Sequence, residues 1–140
     1  MTRINVIPVQ ELTDQHLMAE YRELPMVMAS ARRSLASKNG WQSSKVPDKY
    51  TLNKGHVYFF TNKKEFLWKR FNELITELRI RGYKINPEDR VIDWSIFDQI
   101  PQVVWSPTPE CLEINIERIR ERISQKPNWY RWTNRPRVQF

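Results

Sequence analysis

Residues 62–82, NKKEFLWKRFNELITELRIRG, form the stretch of the chain that most clearly predicts its fold. Asn62 followed three residues later by Glu65 indicates a capping box at the start of a helix. Gly82 is placed to end that helix, because glycine readily adopts the left-handed conformation found at helix ends. The stretch therefore predicts a helix with one broad apolar face, formed by Phe66, Leu67, Phe71, Leu74, Ile75 and Leu78.

An earlier helix is predicted to begin at Thr13 or Asp14, since both residues are good N-caps. Pro25 falls within the helical pattern and should kink the helix or end its first half. The apolar face of this helix consists of Leu17, Tyr21, Leu24 and Met28. The opposite face is a polar stripe that carries one well-placed carboxylate, Glu23.

The last helix is predicted from Pro109 to Gln125, with Thr108 as its cap. Residues 37–55 read as loop, residues 83–107 as irregular, and the apolar run at 56–60 as a strand or buried coil. The apolar stripe of the last helix consists of Leu112, Ile116, Ile119 and Ile123. The predicted fold is mainly α, a compact single domain over residues 1–140, with three helices and long connecting coil.

The composition favours a polyanionic partner. The 140 residues carry a formal net charge of +7, which suits DNA, RNA or an anionic membrane surface.

Cys111 is the single cysteine, so no intramolecular disulfide can form. No apolar run is long enough to span a membrane and no secretory leader is evident, so we expect a cytoplasmic protein. Cys and His do not cluster at metal-ligand spacing, so we expect no metal and no cofactor.

A basic and aromatic tail follows the last helix, at about residues 126–140. No acidic residue occurs after Glu121. Basic side chains neutralise phosphates and aromatic rings stack on exposed bases, so the tail is interpreted as a nucleic-acid-binding segment. A terminus without counter-ions of its own is not needed for folding. The residues concerned are Arg122, Lys126, Arg131, Arg135 and Arg137, interleaved with Trp129, Tyr130, Trp132 and Phe140.

Thr2 and Glu23 are candidates for chemistry. A small second residue permits removal of Met1, which exposes an α-amine with a pKa of about 8. An unprotonated amine can attack carbon and form a Schiff base, and a carboxylate can act as a general base. Considered alone, the two features are better explained as an ordinary amino terminus and a solvated glutamate.

Several blocks of the sequence belong together. They are Met1–Asn5, Asp14–Pro25 (DQHLMAEYRELP), Gly55–Val57, Phe59–Phe60, Glu65–Leu67, Lys69–Arg70, Glu73–Ile75, Arg81–Gly82, and Pro127 with Trp129 and Tyr130. In these blocks the chain resembles the pyrimidine-dimer DNA glycosylases of the phage endonuclease V type. The resemblance covers nearly the whole chain and is weak at about residues 26–50 and 83–108.

The resemblance implies a compact enzyme that cuts the N-glycosyl bond of the 5′ pyrimidine of a cyclobutane pyrimidine dimer and nicks the resulting abasic site. The implied nucleophile is the α-amine of Thr2, which forms an imine with the sugar C1′, and the essential carboxylate is Glu23. The expected partner of this monomer is double-stranded DNA that contains pyrimidine dimers or abasic sites. Its implied DNA-binding residues are Arg3, Gln15, His16, Arg22, Arg118, Arg122, Trp129, Tyr130 and Arg131.

Three alternatives stay open at this point. The chain could be a glycosylase and abasic-site lyase with a different preferred lesion. It could bind DNA without catalysis, although the joint presence of Thr2, Arg22 and Glu23 argues against that. It could also be an RNA-binding module, which would prefer single strands and ignore ultraviolet damage.

Met26 departs from the family pattern, in which this position usually carries an arginine that contacts DNA near the lesion. The departure removes a positive charge from the polar stripe. We predict that Met26→Arg binds dimer-containing DNA more tightly, because it restores a cation beside the backbone phosphates, and leaves the chemistry intact. Titration of a fluorescent dimer duplex measures this effect, and an unchanged dissociation constant would contradict it.

Overall fold

The computed structural model describes residues 3–90 and 92–140, and every regular element within them is helical. The predicted mainly α class is confirmed, whereas the described residues contain five α-helices where three were predicted. Short 3₁₀ turns occupy Val9–Glu11, Ser43–Lys45, Phe60–Asn62, Pro87–Asp89 and Trp94–Gln99. The α-helices are α1 (Asp14–Glu23), α2 (Met26–Ala36), α3 (His56–Phe59), α4 (Lys64–Ile80) and α5 (Pro109–Gln125).

The predicted first helix is a pair of helices, α1 and α2, that meet at Pro25. Thr13 caps α1, since its Oγ1 accepts a hydrogen bond from the His16 amide at 3.0 Å. Pro25 has no amide hydrogen to donate to the preceding turn, and α1 ends at Glu23. The prediction that the proline ends the first half of the helix is confirmed. Glu23 therefore lies in the last turn of α1.

The carboxyl end of α4 follows the prediction made from Gly82. That glycine has a φ of 93°, and the Tyr83 amide donates to the Leu78 carbonyl at 3.0 Å. This pair of features is a Schellman motif, in which glycine avoids the steric penalty of the left-handed conformation. The buried face of α4 packs on α1, where the rings of Tyr21 and Phe71 stack with their centroids 5.4 Å apart.

The amino end of α4 differs from the prediction, because Asn62 does not form a capping box. Residues 60–62 form a 3₁₀ turn, so Asn62 lacks the extended backbone that a capping residue needs. Its Oδ1 instead accepts a hydrogen bond from Lys63 Nζ at 2.8 Å. The Lys64 amide is bound by Gln102 Oε1 at 2.8 Å, so the cap comes from a distant part of the chain.

The apolar run at 56–60 is helical, and the prediction of a strand or buried coil was wrong. It forms the single turn α3, which continues into the 3₁₀ turn at 60–62. Five residues are too few to show a helical period. The turn begins after Gly55, whose φ is 95° and where a Cβ atom would lie 2.7 Å from Pro47 Cγ. Both facts require glycine at this position.

Helix α5 has the predicted bounds, but its buried face is rotated from the predicted apolar stripe. Thr108 Oγ1 accepts a hydrogen bond from the Cys111 amide at 3.2 Å and caps the helix as predicted. The buried positions are Cys111, Asn115 and Ile119, whereas Leu112, Ile116 and Ile123 are only half-buried. A polar residue at the centre of the face hid this orientation from hydrophobic periodicity.

Asn115 is buried because it serves the chain segment at residues 4–7, which is buried and has no regular secondary structure. Its Oδ1 accepts hydrogen bonds from the amides of Val6 at 2.8 Å and Ile7 at 3.2 Å. Its Nδ2 donates to Asn5 Oδ1 at 2.8 Å. One side chain thus satisfies three buried polar groups that have no β-sheet partner.

A buried ion pair between Glu20 and Arg70 holds the same segment from the other side. The residues are 1% and 4% exposed, and Arg70 Nε lies 2.7 Å from Glu20 Oε2. Arg70 also donates to the Ile7 carbonyl at 2.6 Å, and Asn5 Nδ2 donates to Glu20 Oε1 at 2.9 Å. These contacts bind the segment at residues 4–7 to α1 and α4.

We predict that Asn115→Ala lowers the free energy of unfolding by about 3 kcal/mol, because it leaves buried donors and an acceptor without partners. Urea unfolding followed by circular dichroism measures this loss. Asn72→Ala is the matched control, since Asn72 is exposed on α4 and bonds only its own helix at Trp68. Equal stability of the two variants would contradict the role given to Asn115.

Candidate active site

A cavity of about 210 Å³ lies where the amino-terminal segment, α1, α5 and the carboxyl-terminal tail meet. Distant parts of the sequence come together here, because the lining residues come from both ends of the chain and from two helices. Buried Asn5, Glu20 and Ile119 also contribute to its surface. Six residues predicted for the site line this cavity: Arg3, His16, Glu23, Arg118, Arg122 and Tyr130.

The other described site residues border a second groove, of about 360 Å³, along the same helix α1. The groove and the cavity share Ala19, so they adjoin. Trp129 is 52% exposed there, which leaves much of its ring accessible. The predicted residues in this groove are Gln15, Arg22, Trp129 and Arg131.

Thr2, the predicted nucleophile, lies outside the described residues. Its neighbour Arg3 donates a hydrogen bond from its amide to Glu23 Oε2 at 3.1 Å. The chain next to Thr2 is therefore in direct contact with the predicted carboxylate. Glu23 is half-buried at the end of α1, and one of its oxygens points toward the amino-terminal segment.

Cations dominate the cavity. Burial lowers the pKa of Arg3, and the nearby positive charges of Arg118 and Arg122 lower it further. Glu20 is also in the lining, but its charge is already matched by the buried guanidinium of Arg70. The cavity is therefore suited to an anionic ligand such as a phosphate group.

His16 forms one wall of the cavity together with Tyr130. The two rings stack with their centroids 4.9 Å apart and their planes 2° apart. His16 Nδ1 lies 2.7 Å from Thr13 Oγ1, which fixes the ring at the first turn of α1. Burial and the charge of Arg122 lower the pKa of His16 to about 4, so its ring is neutral at pH 7.

Gln15 binds the backbone of the tail on both sides of Tyr130. Its Nε2 donates to the Trp129 carbonyl at 2.8 Å, and its Oε1 accepts from the Arg131 amide at 3.1 Å. Sequence reasoning assigned Gln15 to DNA, and that contact stays a prediction. Gln15 anchors the tail on both sides of Tyr130 and so keeps the Tyr130 ring against His16.

The tail has counter-ions, contrary to the sequence interpretation. Arg135 forms a bidentate salt bridge with Glu77 of α4, with N–O distances of 2.8 and 2.7 Å. Asp14 accepts from the Thr133 amide at 3.0 Å, and Trp132 is buried, with its Nε1 donating to a backbone carbonyl at 3.0 Å. The acidic partners belong to other helices, so a search within the tail could not find them. Part of the tail therefore stabilises the fold.

Two buried residues that contact the amino-terminal segment gave little functional signal in the sequence. Tyr50 is buried at the end of a polar loop, and His56 is buried in the apolar run of α3. Both bind the backbone of Ile4, two residues after Thr2. Such contacts between distant residues leave no local pattern.

The described residues contain no group of three or more His, Cys, Asp or Glu side chains that could hold a metal ion. Separately, none of the helices at 3–90 and 92–140 combines the length and the apolar character needed to cross a membrane.

A protein-family model described as pyrimidine dimer DNA glycosylase matches residues 1–91. The chain belongs to this family. The suspected resemblance is thereby confirmed, and the substrate of this pyrimidine dimer DNA glycosylase is DNA. The match covers the amino-terminal segment and α1 to α4, whereas α5 and the tail lie beyond it.

The two histidines give this DNA glycosylase a pH-dependent stability. Burial is the main cause that lowers the pKa of His16 and of His56 to about 4. The unfolded histidines titrate near 6.5, so between these values the unfolded chain binds protons that the native protein does not. The stabilisation is complete above pH ~6.5 and is lost as the pH falls toward 4.

We therefore predict that the free energy of unfolding decreases from pH 7.5 to pH 5, by up to roughly 2 kcal/mol for each histidine. Urea unfolding at several pH values measures the loss. Asp14 and Glu77 have lowered pKa values and add acid sensitivity, but only at lower pH, so the series stops at pH 5. Native histidine ring signals that titrate near pH 6.5 would contradict the explanation.

Proposed function

We propose that this glycosylase cleaves the N-glycosyl bond of the 5′ pyrimidine of a cyclobutane pyrimidine dimer in duplex DNA and then nicks the abasic site. The observation that supports this most directly is the hydrogen bond from the Arg3 amide to Glu23. It joins the neighbour of Thr2 to a half-buried carboxylate at the edge of a cation-rich cavity. An amine, a carboxylate and cations for phosphate are the parts that the reaction needs.

The proposed nucleophile is the α-amine of Thr2 after removal of Met1. Its nitrogen attacks the sugar C1′ while the bond from C1′ to the pyrimidine N1 breaks. The base leaves with the electron pair of that bond and takes up a proton. Opening of the sugar ring then gives an imine between the Thr2 nitrogen and C1′.

Glu23 is proposed to assist both steps. Its negative charge stabilises the positive charge that develops on the sugar during the first step. In the second step it supports removal of a proton from C2′, which forms a double bond and expels the 3′ phosphate by β-elimination. Water then hydrolyses the imine and releases the amine.

The basic and aromatic residues around the cavity and the adjoining groove are proposed to hold the DNA. Arg3, Arg118 and Arg122 face the space next to Glu23 and are suited to the phosphates beside the lesion. His16 and Tyr130 offer a flat aromatic wall, and Trp129 is exposed for stacking. Such contacts can offset the cost of unstacking a base, which is a few kcal/mol. Gln15, Arg22 and Arg131 are proposed to extend the DNA-binding surface along the groove.

We further propose that the enzyme acts as a monomer in the cytoplasm, on duplex DNA that contains pyrimidine dimers or abasic sites. The alternative of a different preferred lesion is retained because Met26, 52% exposed at the start of α2, stands where the family usually has an arginine. A DNA-binding protein without catalysis is the remaining alternative. The following experiment distinguishes all three.

Borohydride trapping tests the proposal. Untagged protein, shown by mass spectrometry to begin at Thr2, is mixed with a duplex that holds one thymine dimer. Borohydride is then added to reduce the imine between protein and DNA. We expect a covalent complex mapped to Thr2, whose rate of formation falls about 10²–10⁴-fold in Glu23→Gln. Glu113→Gln is the matched control, because Glu113 is an exposed carboxylate on α5 outside the cavity.

Each outcome has a separate meaning. Trapping on dimer DNA but not on undamaged DNA supports both the substrate and the imine. Trapping on an abasic site alone would leave a lyase with another lesion. The absence of trapping on either duplex would overturn the catalytic proposal and leave a DNA-binding protein.

A further inference from the structure

The backbone of Ile4 is held at both of its polar groups by buried side chains. The Ile4 amide donates to His56 Nε2 at 2.7 Å, and the Tyr50 hydroxyl donates to the Ile4 carbonyl at 2.9 Å. His56 and Tyr50 are 2% and 3% exposed, and their rings pack edge to face with centroids 5.6 Å apart. The pair therefore clamps the backbone of one residue on both sides of its Cα atom, and is named here the Ile4 clamp.

The clamp has a fixed protonation state. His56 Nδ1 lies 2.7 Å from the Thr51 carbonyl oxygen, which can only accept, so Nδ1 carries the proton. Nε2 is then left with the lone pair that accepts from Ile4. Burial lowers the pKa of His56 to about 4 and raises the pKa of Tyr50, so the acceptor and the donor both persist at neutral pH.

The clamp acts close to the proposed nucleophile without touching the cavity. Neither Tyr50 nor His56 belongs to the cavity lining. Ile4 follows Arg3, whose amide is held by Glu23. Three polar backbone groups, the Arg3 amide and the amide and carbonyl of Ile4, are therefore held by side chains at the point where the chain leads to Thr2.

We infer that Tyr50 and His56 are positioning residues for the reaction, which hold the amino-terminal segment so that the α-amine of Thr2 meets C1′. This inference rests on the proposed function. A primary amine at the end of a chain gains effective concentration only if the chain behind it is held. A lysine nucleophile is restrained by its own backbone, whereas an α-amine depends on the residues that follow it.

Tyr50→Phe is the sharpest test, because it removes one hydroxyl and keeps the ring. We expect the single-turnover rate of trapping to fall roughly ten- to a hundredfold, as misplacement of a reacting group by about 1 Å can do. Affinity for a duplex with a non-cleavable abasic analogue should stay within about twofold, since Tyr50 is buried and does not line the cavity. Tyr58→Phe is the matched control, because its hydroxyl accepts from the Gln42 amide at 3.0 Å, away from the amino-terminal segment.

A second pair of variants tests the histidine. Glutamine can present an oxygen to the Ile4 amide and an N–H to the Thr51 carbonyl, whereas leucine can do neither. We expect His56→Gln to retain more of the trapping rate than His56→Leu. Melting temperatures are measured for all variants, and rates are compared only well below them.

The results separate the two proposals. If the wild-type protein fails to trap, the proposed function and this inference both fall. If the wild-type protein traps and Tyr50→Phe traps equally fast, only the inference is overturned. The same holds if the trapping rate falls no further in Tyr50→Phe than in Tyr58→Phe. A direct signature exists in the free protein, because an N–H···N bond gives a scalar coupling between the Ile4 amide nitrogen and His56 Nε2. Absence of this coupling in a nitrogen-15 spectrum would also overturn the inference.

Discussion

Burial of a backbone segment that has no neighbouring strand requires side chains to supply the hydrogen bonds that a sheet would otherwise provide. Residues 4–7 meet this requirement with partners from separate parts of the chain. Asn115 comes from α5, Arg70 from α4, and Tyr50 and His56 from the region before α4. The segment therefore links these elements, and removing any partner would leave a buried polar group unsatisfied.

The candidate site is built by the two ends of the described chain. Arg3 brings the amino-terminal segment to Glu23, and Gln15 holds the tail so that Tyr130 covers His16. Helix α1 lies between the two ends and carries the three residues that hold them, Gln15, His16 and Glu23. The same short helix thus supplies the carboxylate and holds both ends of the described chain at the cation-rich cavity.

Local signals in the sequence predicted the start of α1, the end of α4 and both ends of α5. Thr13, Thr108 and the bounds of α5 depend on residues within a few positions of one another, so a sequence pattern can report them. The cap from Gln102 and the ion pair of the tail with Glu77 join residues far apart, and no local pattern reveals them. The same limit applies to the site. The resemblance named most of the residues that line the cavity, but it could not show that Gln15 is occupied by the tail or that Ile4 is clamped.

The bond between Val6 and Asn115 spans 109 positions of the sequence, and this separation orders events during synthesis. Translation adds about 5–20 residues per second, so residue 6 is made roughly 5–20 seconds before its partner. During that interval the amides of Val6 and Ile7 have no access to their native acceptor. The hydrogen bonds of the amino-terminal segment are therefore completed only after α5 has been made, late in the synthesis of the chain.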